Sequence, residues 1–175
     1  MRGSGKLLIV SMVAIGLAAA AASWWFRYAA THRAAQFWGP AAARLIRDAP
    51  HVNLARLEPS PNGVASDESR QITANRDISA APGLTHLRYA LLEDSSFAWP
   101  VCDEPPAVHW TTQLQFRASA DPEAASVNVF FSPDYRWLIA ATADGAMGRA
   151  VSCRPIADGL REMLEPLATS GDTPR

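Results

Sequence analysis

Lysine is almost missing from this chain, cysteine occurs twice, and no stretch collects charge of one sign. The 16 basic and 17 acidic residues leave a net charge of -1. The basic stripe that counterion release from nucleic acid requires is therefore lacking, and nucleic acid is not expected as a partner. Glycine-rich phosphate loops are lacking too. Gly145 and Gly148 fall in an expected hairpin rather than between a strand and a helix, so no nucleotide is implied. Ser95, Ser96 and Ser152 sit in no Gly-x-Ser-x-Gly elbow, which argues against a hydrolase of that type. The four histidines, His32, His51, His86 and His109, form no His-x-x-x-His or His-x-Glu pair, and no metal or other cofactor is expected.

What the chain does have is a long uncharged run at its start. Leu7 to Phe26 reads LLIVSMVAIGLAAAAASWWF, about 20 residues, which as a helix rises about 30 Å, the thickness of bilayer hydrocarbon. Leu7, Val13 and Leu17 lie in its apolar body. Trp24, Trp25 and Phe26 close it, and with Tyr28 they resemble the aromatic belt of a membrane interface. A transmembrane anchor is expected over residues 1–26. The competing reading is a signal peptide cut after an Ala-x-Ala pattern at Ala20 and Ala22, and the continuation of the run through Phe26 favours retention. Arg2 and Lys6 before the segment are matched by Arg27 and Arg33 after it, so charge alone does not orient it. A short basic start followed by an apolar segment places the remainder outside the cytoplasm, on the periplasmic side of a bacterial inner membrane.

Residues 27–50 read as a helical stalk interrupted at Gly39-Pro40. Pro40 suits the first turn of a new helix that carries Ala43, Leu45 and Ile46. From there the pattern alternates between strand and helix. Val52 to Leu57 and Arg70 to Ile78 read as strands around a turn-rich loop containing Pro59, Pro61, Asn62 and Gly63. Leu84, Leu87, Leu91 and Leu92 share one face of a helix opened by Pro82.

Pro100, Pro105 and Pro106 make Ala98 to Pro106 a loop in this reading. Val108 to Phe116 alternates strictly, with Trp110 on the buried side. Val127 to Phe131 adds a strand, Trp137 to Ala143 and Met147 to Cys153 flank an Asp144-Gly145 turn, and Pro155 opens a helix with Ile156, Leu160, Met163, Leu164 and Leu167 on one face.

The fold class is thus α+β: an N-terminal transmembrane helix, then a two-layer domain over residues 51–168 in which five to six mainly antiparallel strands pack with helices. Residues 169–175 are expected to form a disordered tail.

Cys102 and Cys153 are candidates for a disulfide, which an oxidising compartment would permit. Trp99 and Tyr135, rigid rings near strand or loop edges, are the candidates for a binding surface. His86 and Glu93 share a helix face and could serve acid-base chemistry with His109, although a solvated face explains them as well. Asp103 and Glu104 read as solvated carboxylates, and no catalytic residue is assigned. The expectation is a membrane-anchored, non-enzymatic interaction or accessory module of the bacterial envelope, whose partner is another envelope protein. The alternative is an envelope enzyme acting on cell-wall or lipid-linked substrate.

Overall fold

The structure, a computed structural model, describes residues 4–58, 71–102, 106–121, 123–141 and 147–169. Within them the chain forms helix α1 (Ser4–Asp48), strands β1 (His51–Glu58) and β2 (Gln71–Asp77), helix α2 (Leu84–Leu92), strands β3 (Ala98–Cys102), β4 (Thr112–Arg117), β5 (Ser126–Phe131), β6 (Trp137–Ala141) and β7 (Met147–Ser152), and helix α3 (Ala157–Thr169). All seven described strands join one antiparallel sheet in the order β2-β1-β4-β5-β6-β7-β3. The α+β class is as the sequence indicates. The sheet, however, holds more than the five to six strands expected.

The additional strand is β3, which the prolines had marked as loop. Pro100 has no N–H to give a ladder, which excludes it from a central strand but not from an edge. Among the described strands β3 is such an edge, hydrogen-bonded to β7 alone. Its register with β7 also settles the cysteines. Ala98 lies opposite Ser152 and Cys102 opposite Ala150, so the two cysteines stand three residues apart along the ladder, about 10 Å at 3.3 Å per residue. A disulfide needs its Cα atoms within about 7 Å. Both thiols are free, and the expected bridge is corrected accordingly.

One face of the sheet carries the main core. Val52, Leu54, Leu114, Phe116, Val129, Phe131, Leu138 and Val151 point to this side, where Ile46 of α1, Leu84, Leu87 and Leu91 of α2, and Leu160 and Leu164 of α3 cover them. Phe116 and Phe131 are fully buried, each worth about 1.5–3 kcal/mol of burial. The other face holds a smaller cluster of Leu57, Trp110, Phe130, Ile139, Ala141 and Ala150, beside a polar region in which the Gln113 amide donates to Asn128 Oδ1 at 3.0 Å.

β4 begins at Thr112 rather than Val108. The alternation continues through Trp110 in burial, but the Trp110 ring packs in the second cluster while Leu114 and Phe116 belong to the main core. The chain therefore changes face just before the strand starts. The Asp144-Gly145 turn, the Pro59–Ser69 loop, Asp103 and Glu104, and residues 170–175 of the expected tail lie outside the described residues.

Helix α1 has two parts. From Ile9 to Phe26 it is long and apolar enough to cross a membrane, and none of that span is buried against the protein. At Gly39 the backbone leaves the helical region, with φ 72° and ψ 164°. Two adjacent residues impose this: a residue preceding proline is disfavoured in the α region, and only glycine takes the positive φ without strain. Pro40 then starts a short limb that ends at Asp48.

Around this kink α1 stops being a free rod. Ala34, Trp38, Ile46 and Ala49 are buried, so the region read as a stalk contributes to the core. Polar ties hold it at three levels. The Asp94 carboxylate accepts hydrogen bonds from the backbone amides of Arg33 at 3.1 Å and Ala34 at 2.7 Å. Trp38 Nε1 donates to the Leu91 carbonyl at 2.6 Å. Arg88 donates through both terminal nitrogens to the carbonyls of Arg47 and Ala49, each at 2.6 Å, which satisfies acceptors left over at a helix end. All three partners come from α2 or the turn after it.

Asp94 thus grips α1 from the side, through two amides in the helix interior. Asp94→Ala should weaken the attachment by about 1.5–3 kcal/mol, the usual value of hydrogen bonds to a charged group. Local amide exchange at Arg33 and Ala34 should accelerate roughly ten- to a hundredfold. Asp94→Asn, which keeps an acceptor, should lose less. Unchanged exchange at both amides in Asp94→Ala would show that this carboxylate does not hold the helix.

Candidate functional site

The attachment of α1 to the sheet leaves a cleft at the β3 edge. Arg33, Gln36 and Phe37 of α1 form one wall, Trp99 and Val101 of β3 the other, and Arg149 of β7 contributes from the neighbouring strand. Its volume is about 450 Å³. The aromatic wall is fixed from behind: Phe37 meets Trp38 edge-on at 4.9 Å and Trp99 at 6.4 Å, and Phe97 meets Trp99 at 5.6 Å. Trp99 Nε1 donates to the Asp94 carbonyl at 3.0 Å. The side chain of Asp94 therefore holds α1 while its carbonyl holds the indole, and one residue positions both walls.

A second cleft, of about 330 Å³, lies between the end of α1 and α2, with Arg47, Ser79, Thr85, Arg88, Tyr89 and Leu92 among its lining residues. Its chemistry is largely spent on structure. Arg88 is committed to the two carbonyls of α1 and lies 6.0 Å from the centre of the Phe116 ring. Burial lowers its pKa, opposed by the charge of Asp48. Tyr89, 62% exposed, is the ring most available there.

The two aromatic residues singled out in the sequence part company. Trp99 is half-buried and lines the first cleft. Tyr135 is buried at the turn between β5 and β6, with its hydroxyl 3.4 Å from Thr112 Oγ1. It adopts φ 56°, an unusual backbone for a non-glycine residue. The turn is held by Asp134, which accepts from Ser132 Oγ at 2.6 Å and from the Arg136 amide at 3.1 Å. The Ser132 bond is the main reason the Asp134 carboxyl is held below its usual range. The Tyr135 phenol shifts upward, chiefly through burial.

His86 and Glu93 are exposed on and just after α2, and His109 is exposed beside Trp110. None of the three lines either cleft. Among the described residues, no three His, Cys, Asp or Glu side chains converge as a metal site would need. The chain matches no family model, no curated protein and no solved structure. The site must be read from its own geometry.

Arg33, Gln36, Phe37 and Arg149 were not singled out as site residues in the sequence. Arg33 counted only as a charge weighing on membrane orientation, and nothing in the spacing of the chain brings Arg149 to α1. That proximity follows from the sheet order, which puts β7 beside the edge strand β3.

Proposed function

We propose that this chain is a single-pass, membrane-anchored interaction module, with its domain on the periplasmic side of a bacterial inner membrane and another envelope protein as its partner. The observation that carries this reading is the unburied apolar span Ile9–Phe26, which continues as one helix to Trp38, tied to the fold there through Asp94 and Leu91, and past the Gly39 kink through Arg88. A flexible tether would only confine a domain to a membrane. A helix packed into the core also fixes the faces presented at that membrane, and confinement raises the effective concentration at a membrane partner. Trp99 and Tyr89 are the rings available for contact.

The envelope-enzyme alternative needs a site that gathers acid-base groups, and His86, Glu93 and His109 are absent from both clefts. A photo-crosslinking residue in place of Tyr89 or Trp99, irradiated in intact cells, should give a discrete heavier species in the membrane fraction. The same probe at exposed Thr73 should not. Monomer alone at both positions, together with loss of function in vivo on His86→Ala, Glu93→Ala and His109→Ala, would overturn the proposal in favour of an enzyme.

A further inference from the structure

The bend at Gly39 lies one bond rotation away from a second conformation. Its ψ of 164° is close to the roughly 145° of the extended conformer that residues before proline favour. Its φ of 72° is opposite in sign to the roughly −75° of that conformer. Only glycine occupies the observed combination freely, and glycine takes either sign of φ about equally well. No described atom lies within 4 Å of a Cβ placed there. Neither the local sequence nor local crowding therefore chooses between the two conformations. Rotation about the N–Cα bond of Gly39 redirects everything before it, Ile9–Phe26 included, relative to the limb that begins at Pro40.

The observed conformation is selected by α2. Beyond the bend, Arg88 donates to the carbonyls of Arg47 and Ala49. Before the bend, Trp38 donates to the carbonyl of Leu91, one turn further along α2. All three acceptors stand at helix ends, where intrahelical donors have run out. Just past α2, Asp94 holds the amides of Arg33 and Ala34. Burial acts on both arms as well, through Ala34 and Trp38 on one and Ile46 and Ala49 on the other. One short element thus clasps both sides of a residue that would otherwise turn. Hinges elsewhere have the same form, a few residues at element ends absorbing the φ/ψ change while their flanks stay rigid.

We propose that Gly39 is a two-position joint, latched in the observed position by α2 and Asp94, and that releasing the latch swings the apolar helix relative to the sheet. The joint is internal to the chain. Its consequence, a domain that changes the face it presents at a membrane, rests on the membrane-anchored reading above. Contacts made only in the latched position keep the released one scarce, and weakening them shifts the equilibrium by the contact energy lost. Gly39→Ala acts on the same equilibrium from the other side, because it penalises only the positive φ. Strain of that kind corresponds to a shift of about 5- to 150-fold toward release.

The test is the distance between spin labels on native Cys102 and on a cysteine introduced by Ser23→Cys, measured by double electron–electron resonance on the full chain in detergent. Cys153 is buried, so a label appearing on it reports unfolding and not motion of the joint. The background chain should give one narrow distance. Asp94→Ala with Trp38→Ala should add a second distance, and adding Gly39→Ala should raise the ratio of second to first at least about fivefold. Gly16→Ala, in the same helix and equally uncrowded, should leave that ratio unchanged. Trp38→Ala alone covers the case in which the double variant fails to fold.

A broad distribution in the background chain, a single distance in a folded latch variant, or a second distance indifferent to Gly39→Ala would overturn the proposal. Repeating the measurement in lipid nanodiscs separates the joint from the anchor. Both distances in a nanodisc support the swing at a bilayer. A chain that shows both in detergent but does not enter nanodiscs supports the joint and counts against the anchor.

Discussion

Trp38→Ala should destabilise the domain by about 3–5 kcal/mol, the range for truncating a large buried aromatic side chain. For a unit of this size that corresponds to a fall of roughly 10–20 °C in melting temperature. The reason is the number of roles the ring has. Trp38 is 6% exposed, meets Phe37 edge-on, and sends its indole N–H to the Leu91 carbonyl. Alanine removes the packing and leaves that carbonyl without its donor.

Trp38→Phe separates the two effects, since it keeps most of the ring and loses the hydrogen bond. Its cost should be about 1–2 kcal/mol. Thermal unfolding of the full chain in detergent, followed by near-ultraviolet circular dichroism, measures both. If Trp38→Ala melts within about 2 °C of the unaltered protein, the limb around Gly39 is an appendage and not part of the core.

The second large effect is chemical. Cys153 is fully buried, and its thiol is pushed up to about 12, chiefly by loss of water. Only the thiolate reacts, so at pH 8 the reactive fraction is about one in ten thousand, against roughly a quarter to a tenth for a thiol of ordinary pKa near 8.5–9. Burial also blocks access. Cys153 should therefore react with a maleimide at least a thousandfold more slowly than half-exposed Cys102.

Counting labels by mass gives the check. One label is expected on the native chain and two after unfolding in urea without reductant. Two absent labels in the unfolded, unreduced chain would mean a disulfide after all. Rapid double labelling of the native chain would mean that Cys153 is not buried. Because neither cysteine is bridged, the pair offers no support for an oxidising compartment, and sidedness rests on the N-terminal segment alone.

Leu84, Leu87 and Leu91 announce α2 because a helix repeats every 3.6 residues, and those leucines are its buried side chains. Leu114 and Phe116 announce β4 for the equivalent reason in a strand. Local periodicity is visible because both residues and consequence lie within a few positions of each other.

Pro100 misleads because its effect depends on a neighbour. Its missing N–H argues against a central strand, and only the sheet order reveals that β3 lies at the edge of the described sheet. Trp110 is buried as its alternation implies, but a change of face before β4 sends it to the second cluster. The cysteines fail for the same reason: their distance is set by the register of β3 against β7, which no spacing encodes. Of the cleft, Trp99 was legible as an aromatic residue near an edge. Arg33 and Arg149 were not, because they belong to α1 and β7, and only the folded sheet brings them to one place.

Whether the unburied span Ile9–Phe26 anchors the intact chain in a membrane is read by alkaline carbonate extraction of membranes from cells expressing the full chain. Full-length protein is expected in the pellet after extraction. Protein released to the supernatant, or a shortened product beginning near Ser23, would contradict it.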